Sequence, residues 1–189
     1  MRQVEDEIAR QDWKGMRCGC GRSAAHIARE LLRITAGGAR DEATSRDFEQ
    51  HVWSPVVLYE PAPAVTSVLL AALAAEPAPD TRFRLLDLLQ SLVTGEGTDP
   101  DSARRGLDLP ELCRERAARG IELLHREVLS NRSPGAAGAA FEILTVLDPD
   151  RARLRDLRET AADWLPVCCR TGLCHDWWED EEESRKAAG

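Results

Sequence analysis

The stretch PAVTSVLLAALAAEPAPDTRFRLLDLLQSLV, Pro63–Val93, decides how the rest of the chain is read. Its first part places Val65, Val68, Leu69, Ala72 and Leu73 at spacings of three and four, which lines apolar groups along one face of a helix. Glu76-Pro77-Ala78-Pro79-Asp80 then breaks that helix, because proline removes a backbone donor and restricts the residue before it. The return segment, with Phe83, Leu85, Leu86, Leu88, Leu89, Leu92 and Val93, is apolar around most of its circumference. Such a helix needs neighbours on several sides. Gly95 and Gly97 mark its end.

The same plan recurs downstream. Asp108 stands where a capping residue belongs, before Pro110 at a helix start, and Leu112, Cys113, Ala117, Ile121, Leu124 and Val128 continue as one stripe. Asn131-Arg132-Ser133-Pro134-Gly135 turns the chain. Ala136 to Leu147 then forms a second helix of buried character, closed by Asp148-Pro149-Asp150. Pro63 and Pro110 stand roughly 47 residues apart, within the period of HEAT or armadillo-type repeats, about 40 to 47. The expected fold is all-α, with antiparallel hairpins stacked as a short HEAT-like repeat; an irregular helical bundle is the alternative. Two units need caps, and Ser23 to Ala36, Asp41 to Trp53 and Arg151 to Leu165 are the candidate helices. The domain boundaries follow: an N-terminal segment 1–22, one helical domain 23–165, and a Cys- and Trp-containing acidic tail 166–189.

The 189 residues carry 43% apolar side chains and a net charge of -8, with acidic residues concentrated after Asp176. That balance excludes the broad basic field of a non-specific nucleic-acid binder. The charged start lacks a secretory signal and no apolar run is long enough for a bilayer, so a cytoplasmic protein without membrane association is expected. From Glu179 onward the crowded acids predict disorder. Gly95 to Leu107, rich in Gly, Asp and Arg, reads as a mobile connection.

Chemistry-bearing residues fall in a few places. Cys18 and Cys20 form a Cys-x-Cys pair, and Cys168, Cys169 and Cys174 cluster with His175. If the fold brought these two ends together they would supply soft ligands for a four-ligand zinc site; otherwise no cofactor is expected. Neither cluster has Cys-x-x-Cys spacing, and Cys113 falls on a core stripe. His26 and Glu30 lie one helical turn apart, an arrangement that orients a base, holds half a metal site or makes a local surface contact. His51 stands beside Trp53 and near Tyr59. Together with Trp177 and Trp178, these are the aromatic candidates for gripping a protein partner. No nucleophile elbow, metalloprotease helix, phosphate loop or dinucleotide fingerprint occurs, so the reading leans away from an enzyme.

Four stretches, Cys20 to His26, His51 to Glu60, Val65 to Ala72 with Leu85 to Leu89, and Cys113 to Leu124, resemble a group of uncharacterised actinobacterial HEAT-like repeat proteins over roughly Cys18 to Arg158. The resemblance implies the fold and little about activity; some bacterial proteins of similar build serve as immunity proteins for polymorphic toxins. The acidic tail with Trp177 and Trp178 departs from that group. The resulting expectation is a non-catalytic protein-binding module, immunity-like or accessory, in the bacterial cytoplasm. The alternative is a small helical metal protein or enzyme using the terminal cysteines.

Overall fold

Prolines open the central helices, each in a first turn where the missing N–H has no intrahelical acceptor to lose. A computed structural model describes residues 2–37 and 48–172, which are mostly helical with one short ribbon. In chain order the elements are α1 (Arg2–Ala9), α2 (Ala25–Thr35), β1 (Trp53–Ser54), β2 (Val57–Leu58), α3 (Ala62–Ala74) and α4 (Pro79–Val93). There follow α5 (Pro100–Arg104), α6 (Leu109–Ala118), α7 (Ile121–Leu129), α8 (Pro134–Leu147), α9 (Arg151–Thr160) and α10 (Val167–Thr171). Strands β1 and β2 pair antiparallel, Trp53 opposite Leu58. Side-chain caps secure the helices that follow the loops: Asp108 accepts from Glu111 N at 3.0 Å, and Ser133 from Ala136 N at 3.4 Å.

The all-α expectation holds, and the first hairpin, α3 with α4, lies where the apolar spacing placed it. The turn of each hairpin uses the left-handed region: Glu76 (φ 53°) follows α3 and Asn131 (φ 49°) follows α7. The second unit differs from expectation. Its single stripe from Pro110 to Val128 is broken at Arg119-Gly120 into α6 and α7. Gly120 explains the break, because a Cβ there would sit 2.5 Å from Leu70 Cδ2 of α3. The chain bends where α3 presses closest.

Burial also corrects the sequence reading. Helix α8 is buried along most of its length, as its composition demands, but its equal is α3 and not α4. Helix α3 packs against α1, α2, α4 and α6, so its supposed solvent side is covered. In α4, Phe83 remains 43% exposed. Segment 1–22 is part of the same core, since Val4, Ile8, Trp13 and Cys18 are all buried in it. Trp13 Nε1 donates to Ile8 O at 2.7 Å, which satisfies its one polar atom.

Two further segments differ from expectation in their described residues. The connection 95–107 is tied to the ribbon: Leu58 N donates to Gly97 O at 2.7 Å and Asp99 N to Leu58 O at 3.0 Å. Within it Asp99 caps α5, and Thr98 Oγ1 accepts from Leu109 N at 3.0 Å. Of the helix expected over Asp41 to Trp53, residues 41–47 lie outside the described part. His51 and Val52 are in a turn and Trp53 is in β1. The tail beyond residue 172 likewise lies outside it.

One ion pair is fully enclosed. Arg82 of α4 donates to Glu127 of α7 at 2.6 Å, with side chains 7% and 6% exposed. Removing one partner strands the other charge in the interior, so Glu127→Ala is expected to cost about 3 to 5 kcal/mol. The double replacement Arg82→Met with Glu127→Leu should recover most of that loss. Urea unfolding of the three proteins checks it, and a single variant within about 0.5 kcal/mol of the parent would show that the charge escapes to water.

Candidate functional site

The loop before α2 and the loop before β1 meet side by side. Around Cys18 the chain folds back on itself: Cys18 N donates to Arg22 O at 2.8 Å and Gly21 N to Cys18 O at 2.8 Å. Gly21 makes this turn with φ +79°, a conformation that L side chains rarely adopt. Gly19 allows the contact between the loops. A Cβ on it would lie 2.3 Å from Gln50 O and 2.5 Å from the Tyr59 ring, while its own N–H donates to His51 O at 3.0 Å. Gln50 in turn holds φ 70°, which sets up the turn carrying His51.

The result is a knot of two thiols and two imidazoles. Cys18 Sγ lies 3.1 Å from His51 Nδ1, 3.6 Å from His26 Nε2 and 3.3 Å from Cys20 Sγ. The two ring nitrogens are 3.2 Å apart, and the rings meet edge-on at 72°. His26 stands in the first turn of α2, where its Nδ1 donates to Ser23 O at 3.0 Å. A carbonyl can only accept, so that bond fixes the proton on Nδ1 and turns the lone pair of Nε2 toward the cysteines. One potential ligand atom from each of the four residues falls within 4.8 Å of every other, a set able to hold a metal ion. Burial pushes the Cys18 thiol up to about 11. At Cys20 burial is again the largest single effect and raises the thiol, but hydrogen bonds with the Arg22 side chain and backbone, Cys18 and His51 together outweigh it and bring the thiol down to about 6.

Cys168 and Cys169 do not join this knot. Cys168 and Cys169 form a second group with Glu142 of α8; their sulfurs are 4.0 Å apart and Cys169 Sγ lies 3.8 Å from Glu142 Oε1. Cys174 and His175 lie outside the described residues, as do Trp177 and Trp178. Among the described residues Cys18 and Cys20 thus meet His26 and His51, and not Cys168 and Cys169. His26 was read with Glu30, but Glu30 pairs with Arg33 instead. The spacing Cys-x-Cys-x5-His was present in the sequence; His51, brought in by the long-range contact at Gly19, was not visible as its partner. Trp53 is half-buried against the core and Tyr59 is half-buried against Gly19. Cys113 sits in the core, its thiol pushed up to about 12 by burial.

A second feature lies on another face. Helices α3, α6 and α7 border a groove of about 390 Å³ whose floor includes Leu70, Ala71, Ala74 and Leu123 and whose rim carries Arg116, Arg119 and Arg126. The nearby carboxylates are engaged with other groups: Glu122 with Arg153 at 2.8 Å, and Glu7 with Arg10 at 3.0 Å. Arg116 donates to Ser67 Oγ at 3.1 Å, and among the described residues no carboxylate pairs with any of the three rim arginines.

Comparison with protein families, with curated proteins and with solved structures finds no match to this chain. No helix among the described residues is long and apolar enough to cross a membrane.

Accessibility ranks the thiols. Among the cysteines of the described residues, iodoacetamide is expected to label Cys20 first and Cys168 next in native protein kept in chelator, since the former is exposed and the latter half-buried. Cys113 and Cys169 should remain unlabelled until unfolding. Peptide mapping reads the order, and early labelling of Cys113 would contradict the packing of α6.

Proposed function

We propose that this protein is a non-catalytic binding module whose helical stack grips an acidic, partly apolar segment of another protein. The observation that carries the reading is the groove between α3, α6 and α7, where three arginines without carboxylate partners among the described residues surround an apolar floor. Arginine combines a planar set of donors with weak hydration, which suits it to recognising carboxylates at an interface. On a chain of net charge -8, this local reversal of sign selects its partner by charge where the remaining surface repels it. Leu70 and Leu123 then offer burial to an apolar side chain beside the partner's carboxylate.

Stacked hairpins of this kind present grooves without supplying a nucleophile or base, which fits stoichiometric binding of an immunity-like or accessory kind on a HEAT-like scaffold. A cytoplasmic bacterial setting fits the same reading. Arginines on the rim take over the anchoring role that the sequence assigned to Trp53, His51 and Tyr59.

Selection of a random peptide library on the immobilised protein tests the idea directly. Peptides pairing Asp or Glu with a neighbouring Leu, Ile or Phe should be enriched, with affinity falling as salt rises. Charge reversal at both Arg119→Glu and Arg126→Glu should weaken them on the order of 100-fold or more, as paired hot spots do. Enriched peptides lacking acids, or acidic peptides bound equally by the double variant, would refute the groove as the site.

A further inference from the structure

We propose that Cys18, Cys20, His26 and His51 together bind one zinc ion in a closed, four-ligand structural site that fastens the N-terminal segment to the helical body. This goes beyond partner binding and stands on different residues.

Ligand spacing is the first argument. With Zn–S near 2.3 Å and Zn–N near 2.0 to 2.1 Å, a tetrahedron places two sulfurs about 3.8 Å apart, sulfur and nitrogen about 3.6 Å, and two nitrogens about 3.3 Å. The chain already holds the corresponding pairs at 3.3 Å for the sulfurs, 3.1 and 3.6 Å for Cys18 with the two histidines, and 3.2 Å for the nitrogens. These agree to within about half an ångström, the scale of adjustment that rotating a side chain supplies.

The second argument concerns orientation. Metal-ligating histidine characteristically donates its other ring nitrogen to a carbonyl or carboxylate, which fixes the tautomer. His26 does so with Ser23 O at 3.0 Å, leaving Nε2 as the ligating atom. His26 Nε2 has no proton to give and faces the Cys18 sulfur and the His51 ring nitrogen across the cluster. A cation at the centre satisfies all four lone pairs at once, and on binding it displaces the thiol protons of Cys18 and Cys20 to solvent. Two thiolates with two imidazoles in tetrahedral array select zinc over hard cations, which prefer oxygen and higher coordination.

The chain is also built around this point. The turn at Gly21, the close approach at Gly19 and the left-handed Gln50 all serve to bring the two loops together. With four protein ligands no coordination position remains open for substrate, so the metal is structural. It joins residues that are distant in sequence, and closing such a long loop restricts the unfolded chain.

Full-length protein purified under reducing conditions should contain about one zinc per chain by elemental analysis, as a single four-ligand site requires. Replacement by Co2+ should give the intense visible absorption of a tetrahedral thiolate site. Cys18 is buried, so the informative variants use the more accessible ligands. Cys20→Ser with His26→Gln should keep the circular dichroism of a helical protein while losing the zinc and the cobalt spectrum. Cys168→Ser, in the other cluster, should retain both. Zinc persisting in the double variant, zinc lost only with Cys168→Ser, or a parent protein purified metal-free that does not bind added zinc would each overturn the assignment. Because Arg119 and Arg126 lie elsewhere, peptide binding and zinc content report on the two proposals separately.

Discussion

Helix α8 cannot be solvated on any long face, and that constraint organises the molecule. Its residues Ala136, Ala137, Ala140, Phe141, Ile143 and Leu144 are buried in succession, so α4, α6, α7 and α10 must surround it. Small side chains make the enclosure possible. At Gly138 an added Cβ would lie 2.7 Å from Pro166, which shows how closely the C-terminal segment is drawn against the helix. Apolar burial at roughly 25 cal/mol per Å² supplies the drive, and the absence of side-chain bulk sets the distance. Helix α3 occupies the corresponding place in the first hairpin, with α1 and α2 laid over it.

Polar groups inside this frame are placed where they join helices. Arg82 and Glu127 connect α4 to α7, and His125 of α7 meets Asp148 at the end of α8 at 2.7 Å. Trp164 Nε1 reaches back to Val128 O at 2.7 Å, bringing the turn after α9 onto α7. Each of these contacts joins two elements and so favours one arrangement of the hairpins over a slid or rotated one, while Glu127 Oε1 stays buried without a hydrogen-bond partner. The two candidate sites inherit their rigidity from that arrangement. The arginine groove lies where α3 crosses α6 and α7, and the Cys/His knot lies where two loops are held between α2 and the ribbon.

Local pattern and long-range contact contributed different parts of this picture. Three- and four-residue apolar spacing, prolines at helix starts and capping Asp108 made α2, α3, α4, α6, α8 and α9 legible, because each signal acts within a turn or two of itself. The hidden break at Gly120 was not legible, since it follows from Leu70 on another helix. Nor was the anchoring of 95–107, whose Gly and Asp residues have the composition of a free loop but whose backbone pairs with Leu58. In the site, Cys18, Cys20 and His26 could be read as neighbours in sequence. His51 could not.

By itself, then, the sequence determined a helical chain, its principal helix ends and the residues able to carry metal or partner chemistry, all of which depend on propensities and spacings within a few residues. Only the tertiary structure decided that α3 is as enclosed as α8, that Cys168 and Cys169 stay apart from Cys18 and Cys20, and that His26 and His51 complete a four-residue cluster. The physical reason is distance along the chain. Contacts such as Gly19 with Gln50 and Tyr59 exist only after the helices have packed, and no periodicity in the sequence encodes which surfaces meet.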